Sequence, residues 1–173
     1  MSSIWESKNI SKSDYKKLHS FFWLSTLDLK SSKLSVQSVI LNWINKNKNY
    51  DAKSWEVDVL SKRIIAWISY SKISYENSDK EYKILFNSLI KKQVNHLINE
   101  IERSKSIDNK MISCSAIILA GLSYQEKQKY LDFGLGLLKN IIKSSFNLVR
   151  LVGLPLPLGS VFFTNEVDVP LVL

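Results

Sequence analysis

No glycine or proline occurs before Gly121, and no proline before Pro155. A chain that runs so far without either residue lacks the usual punctuation of tight turns, sheet bulges and strand edges. Its apolar residues recur instead at i, i+3, i+4, i+7 and i+8 between short polar stretches, which is the period of amphipathic helices. The expectation is an all-α protein of about six helices in antiparallel pairs.

The clearest of these helices covers Ser54 to Ile68. Leu60, Ile64, Trp67 and Ile68 make one apolar stripe, Ser54 is a candidate N-cap, and Glu56 and Asp58 suit the positive end of the helix dipole. Before it, Ser13-Asp14 can cap a first helix reaching about Lys30, with Tyr15, Leu18, Phe22 and Leu29 on one face. A second helix begins near Leu34 and carries Val36, Val39, Ile40, Trp43 and Ile44; a polar loop from Asn45 to Lys53 follows it. The third helix runs to about Ile73. Ser78 and Glu81 have the spacing of a capping box for the longest helix, through Leu85, Leu89, Val94 and Ile101. Asp108 can cap a fifth helix from Asn109 to Ala120, apolar nearly all round, with Gly121 as a C-terminal stop. Ser123 and Glu126 repeat the capping-box spacing before a sixth helix through Tyr130, Phe133, Leu137 and Ile141.

The chain then changes character. From Leu151 onward there is no lysine or arginine, all three prolines occur, and Leu and Val replace Ile and Lys. The division expected is a helical domain over residues 1–147 and an irregular apolar tail over 148–173, disordered or produced by a shifted reading frame.

A net charge of +8 raises the question of nucleic acid, but only Arg63, Arg103 and Arg150 supply the bidentate fork that phosphate and base recognition favours. The remaining basic residues are lysines spread over helix surfaces, so nucleic acid is not the favoured partner. Cys114, the single cysteine, excludes an intrachain disulfide and sits among Ile112, Ser113, Ser115 and Ala116 as a small buried hydrophobe. Two histidines without nearby Asp, Glu or Cys partners give no metal spacing, and no cofactor motif is present: Gly134-x-Gly136 follows no strand. The opening residues have no apolar core of a signal peptide, and no run is long enough to span a bilayer. A soluble, cytoplasmic chain is expected.

Three stretches in order carry a family resemblance. Leu18-His19-Ser20-Phe21-Phe22-Trp23-Leu24, Val39-Ile40-Leu41-Asn42-Trp43-Ile44, and Trp55 to Ile68 with Arg63-Ile64-Ile65-Ala66-Trp67-Ile68 resemble the successive tryptophan helices of heparinase II/III-like proteins. Gln93 to Glu102 continues the pattern, and the similarity covers about Trp5 to Ile142. That family implies an incomplete (α/α) toroid followed by a β-sandwich, and β-elimination at the uronic acid of an acidic polysaccharide. Its acid, base and carboxylate-neutralising groups lie later in the toroid and at the β-domain, so this chain corresponds to an N-terminal fragment, inactive alone and without catalytic residues. Asn95-His96 falls too early to be the family's Asn-His pair. Full-length relatives can be exported.

His19, Trp23, Arg63 and Trp67 are the candidate substrate-binding residues: indoles can stack on sugar rings, and an arginine or histidine can meet a carboxylate. Each also has a structural reading, the tryptophans as core, Arg63 as an ion-pair partner at the core edge, and His19 as a core-edge hydrogen-bonder. The rival function is a non-catalytic helical-repeat module binding protein or RNA. An arc of a toroid should also leave apolar surface uncovered, favouring self-association.

Overall fold

The computed structural model describes Trp5 and residues 10–28, 30, 32–124 and 128–151, with side chains of the last helix described to residue 145. Among them are seven α-helices and no strand: α1 (Lys12–Ser20), α2 (Lys33–Asn47), α3 (Val57–Ser69), α4 (Ser71–Ser74), α5 (Lys80–Glu100), α6 (Ile107–Ser123) and α7 (Gln128–Leu151). Short 3-10 turns cover Phe22–Thr26 and Ile101–Arg103. The all-α class expected from the sequence is what forms. The boundary drawn at residue 147 falls inside α7; residues 152–173, and the second capping-box partner Glu126, lie outside the described residues.

The centre of the molecule is α3, which packs against α1, α5, α6, α4 and the first 3-10 turn. Its buried face is Val59, Leu60, Ser61, Arg63, Ile64, Ala66 and Trp67, which takes in Leu60, Ile64 and Trp67 of the stripe read from the sequence, while Ile68 is half-buried. Side-chain contacts fix the directions of its neighbours. Trp43 meets Trp67 while the Trp55 indole donates to the Asn47 carbonyl at 3.4 Å, so α2 runs antiparallel to α3. Arg63 meets Gln93 and Trp67 meets Phe86, so α5 is antiparallel to it as well. Lys16 meets Asp58 and the His19 carbonyl meets Arg63, so α1 runs parallel to α3. At the α3–α6 interface the hydroxyls of Ser61 and Ser113 touch at 2.9 Å.

The first helix is shorter than its periodicity suggests. It ends at Ser20 because Phe21 adopts a left-handed backbone, φ 55°. That conformation costs an L-residue about 1–2 kcal/mol. What holds it is the Phe21 ring, fully buried with ring centres at 5.4 Å from Trp5, 5.4 Å from Trp23, 5.7 Å from Trp43 and 5.2 Å from Trp67. The third helix likewise breaks at Tyr70, where α4 restarts; Ser74 Oγ donates to the Trp67 carbonyl at 2.8 Å and Tyr82 Oη to the Ser74 carbonyl at 2.7 Å, satisfying acceptors at the break.

Several caps differ from those read in the sequence. Ser11, Ser32, Asp79 and Ser106 accept from the backbone N–H three residues on, at 3.1, 3.3, 2.7 and 3.2 Å. Ser78 instead donates to the Tyr75 carbonyl, and Ser54 is buried ahead of α3, its N–H held by Asp51 at 2.8 Å. Gly121 does not stop α6 but lies within it. A Cβ there would sit 2.7 Å from the Leu131 backbone nitrogen, and one on Gly134 would sit 2.7 Å from Ile118 Cγ1. These two glycines let α6 and α7 approach closely, antiparallel. Cys114 is fully buried, and burial pushes its thiol pKa up, as a small core residue requires.

Candidate functional site

A groove of about 520 Å³ lies between α1, the Phe22–Thr26 turn and the first half of α3. Helix α1 contributes Ser13, Lys16, Lys17 and Ser20, which fall at i, i+3, i+4 and i+7 on one polar face. Helix α3 contributes Asp58, Val59 and Lys62, again one face. Between them the turn supplies Phe22 and Trp23, with Ser25 and Thr26 at its end. The left-handed Phe21 is what aims this turn: it sends Phe21 into the core and leaves Phe22 about half exposed beside the groove. The Trp23 indole N–H donates to the Leu18 carbonyl at 3.2 Å, which fixes the ring's position.

The groove's cations are not equivalent. Lys16 Nζ lies 3.0 Å from Glu56 Oε1 and 3.2 Å from Asp58 Oδ2. Burial opposes its charge, but the two carboxylates outweigh that and raise its pKa. Lys17 pairs with Asp14 at 3.4 Å in an exposed i,i+3 contact. Lys62 makes no ion pair among the described residues, and so it is the cation left for an incoming anion. Ser20, Ser25 and Thr26 already donate to backbone carbonyls and keep acceptor lone pairs, so the groove offers acceptors, one uncommitted ammonium and an aromatic edge. Among the described residues the lining contains no histidine or tyrosine.

Of the four residues singled out in the sequence, only Trp23 lines this groove. His19, Arg63 and Trp67 are fully buried behind it. The Arg63 guanidinium donates from Nη1 to the His19 carbonyl at 2.8 Å and the Ser54 carbonyl at 2.9 Å, and from Nε to Gln93 Oε1 at 3.3 Å. Its Cζ stands 4.2 Å from the Trp43 ring centre. Burial lowers its pKa to about 9, so the charge persists at neutral pH, spread over carbonyl dipoles and a π face rather than paired with a carboxylate. His19 accepts at Nδ1 from the Trp43 indole at 3.0 Å and stacks on Tyr15 at 4.0 Å. Burial, then the charge of Arg63, lowers its pKa to about 4, so it stays neutral. Trp67 is enclosed by Phe21, Trp43 and Phe86. Trp67 lies in the core, as its structural reading has it. Arg63 and His19 lie inside the core rather than at its edge, and Arg63 meets carbonyls and an amide instead of the expected ion-pair partner.

Sequence reasoning passed over Lys62, Lys16 and Asp58. The signal available was the polar stripe Ser13-Lys16-Lys17-Ser20 beside the Asp58–Lys62 face, two patterns that become one site only once α1 and α3 are packed together. Among the described residues no group of His, Cys, Asp and Glu is placed to hold a metal, and no helix is long and apolar enough to cross a membrane. No family model, curated protein or solved structure matches the chain.

Proposed function

We propose that this chain is the substrate-binding helical part of a heparinase II/III-like lyase, an arc of an (α/α) toroid that holds an acidic, uronate-containing polysaccharide without performing the elimination itself. The observation that carries the reading is the groove in which Lys62, paired with no carboxylate among the described residues, faces the same space as Trp23 and Phe22. A uronate needs its carboxylate neutralised and its C–H face covered, and an ammonium beside an aromatic edge supplies both. The ordered tryptophan helices from Leu18 to Ile68 support the family assignment. The up-and-down run of α2, α3 and α5 is compatible with an arc of helical hairpins.

Titration with uronate oligosaccharides tests the reading, alongside an absorbance assay for unsaturated uronate product. Saturable binding with a shallow salt dependence and no product is the expected result. Clear turnover would overturn the claim that this chain does not catalyse, and absent binding would overturn the polysaccharide assignment. Tight RNA binding that falls steeply with salt would favour the interaction-module reading.

The same reading includes self-association of a second copy along α6 and α7. Met111 and Leu122 on α6, and Leu135 and Ile142 seven residues apart on α7, are exposed apolar side chains. Light scattering should show a dimer or larger species, reduced by Leu135→Lys with Ile142→Lys; a monomer at all concentrations would contradict it.

A further inference from the structure

A second cleft, of about 390 Å³, opens where the end of α3 and α4 meet α5 and the end of α6. Its lining differs from that of the groove in one decisive respect: among the described residues it contains no charged side chain. Phe86 and Trp67 form its aromatic base, stacked at 5.1 Å with 27° between their planes, and the Tyr75 ring lies 5.2 Å from Phe86.

Asn87 joins the two phenols of this cleft. Its Nδ2 donates to Tyr75 Oη at 2.9 Å, and its Oδ1 accepts from Tyr124 Oη at 2.9 Å. The amide therefore occupies a lone pair of Tyr75 and the proton of Tyr124. Tyr75 keeps a proton to give, and Tyr124 keeps a lone pair to receive one. Exchanging the amide oxygen and nitrogen would swap these roles and leave the same donor and acceptor side by side. Burial, reinforced by the neighbouring Tyr75, raises the Tyr124 pKa, which keeps that phenol neutral. Ser123 sends its own proton to the Leu119 carbonyl at 2.8 Å and adds a further acceptor at the rim. Among the described residues the buried Trp67 indole N–H has no hydrogen-bond partner, a second sign of polar capacity at this end of the core.

We propose that this cleft is a second binding site, one for an uncharged, hydroxylated ring such as a neutral sugar residue. The Lys83 ammonium stands 5.5 Å from the Tyr75 ring centre but does not line the cleft, so a charged ligand would lose hydration without a counter-charge in the lining. A purely apolar one would leave the Tyr75–Asn87–Tyr124 array unanswered. A pyranose offers an apolar C–H face to the rings and hydroxyls that both give and take protons, and the volume falls in the usual range for small-molecule sites. The proposal does not rest on the polysaccharide reading of the groove.

The test uses the whole chain labelled with ¹⁵N-tryptophan, whose five indole N–H signals are assigned by single Trp→Phe changes. Cellobiose and maltose serve as neutral probes and glucuronate as the charged one, each at about 10 mM, enough to fill a millimolar site. The expected result is a saturable shift of the Trp67 signal with at least one neutral disaccharide, indifferent to added salt. Tyr124→Phe, which removes only a hydroxyl, and Asn87→Leu should each weaken that response about fivefold while the circular dichroism stays unchanged. Absence of any Trp67 shift with both neutral probes would overturn the proposal. So would an undiminished response in Tyr124→Phe, or a stronger response to glucuronate that salt removes.

Discussion

Lys62 and Arg63 are adjacent on α3, yet one lines a groove with no ion pair among the described residues and the other is sealed in the core. The groove and the core cluster divide the chain's cations by geometry. Arginine's planar fork can be satisfied by carbonyls at fixed positions and by an aromatic face, and Arg63 uses these to tie α1, the turn before α3, α2 and α5 together. Lysine's flexible, strongly hydrated ammonium suits a site that stays in contact with water until a ligand arrives. A charged residue on an amphipathic helix is therefore not evidence for binding by its type alone; what its neighbours already satisfy decides.

The comparison breaks most easily at Arg63. Arg63→Met should cost about 3–5 kcal/mol in urea unfolding, because it strands buried acceptors on three segments, and Arg63→Lys should recover little of it. Lys62→Gln should shift stability by no more than about 0.5 kcal/mol. Equal stabilities for the two variants would remove the distinction.

His19 extends the core side of the contrast to pH. Its folded pKa of about 4 lies below the ordinary 6.5, with Arg63, Tyr15 and Asp51 as the facing ionisable groups. As pH falls, the unfolded chain takes up this proton first. The contribution is therefore fully present above about pH 6.5 and lost progressively down to about pH 4, amounting to as much as about 3 kcal/mol. Unfolding measured across that range should show the loss, and His19→Gln should flatten its share of the slope. An unchanged slope in His19→Gln would place the acid sensitivity elsewhere.

Closed and open positions can also be compared at glycines, with smaller effects. Gly121→Ala should destabilise by about 1–3 kcal/mol, since its Cβ meets rigid Leu131 backbone. Gly136→Ala, with nothing within 4 Å, should stabilise by about 0.5–1 kcal/mol. Thermal melts of both variants check the signs.

The sequence made the helical class, the existence of α3 and the burial of Cys114 legible, because each rests on local period or composition. It did not make the end of α1 legible, since the left-handed Phe21 is held by indoles from distant segments. Gly121 reads as a stop by local rules, but close contact with Leu131 keeps it inside α6. Asp79 and Ser106, rather than the neighbouring Ser78 and Asp108, accept the capping bonds, a choice between close candidates that local spacing leaves open. At the site, Trp23 was readable as an aromatic candidate, whereas the status of Lys62 depends on Glu56 and Asp58 both turning to Lys16. Only a folded arrangement settles such a competition.

The most direct test of the account is calorimetric titration of the wild-type chain and Lys62→Gln with one uronate oligosaccharide, with melting temperatures measured in parallel. The account predicts matching melts and binding weakened about five- to tenfold by loss of a single charge-assisted contact. Undiminished binding by a normally folded Lys62→Gln would contradict it.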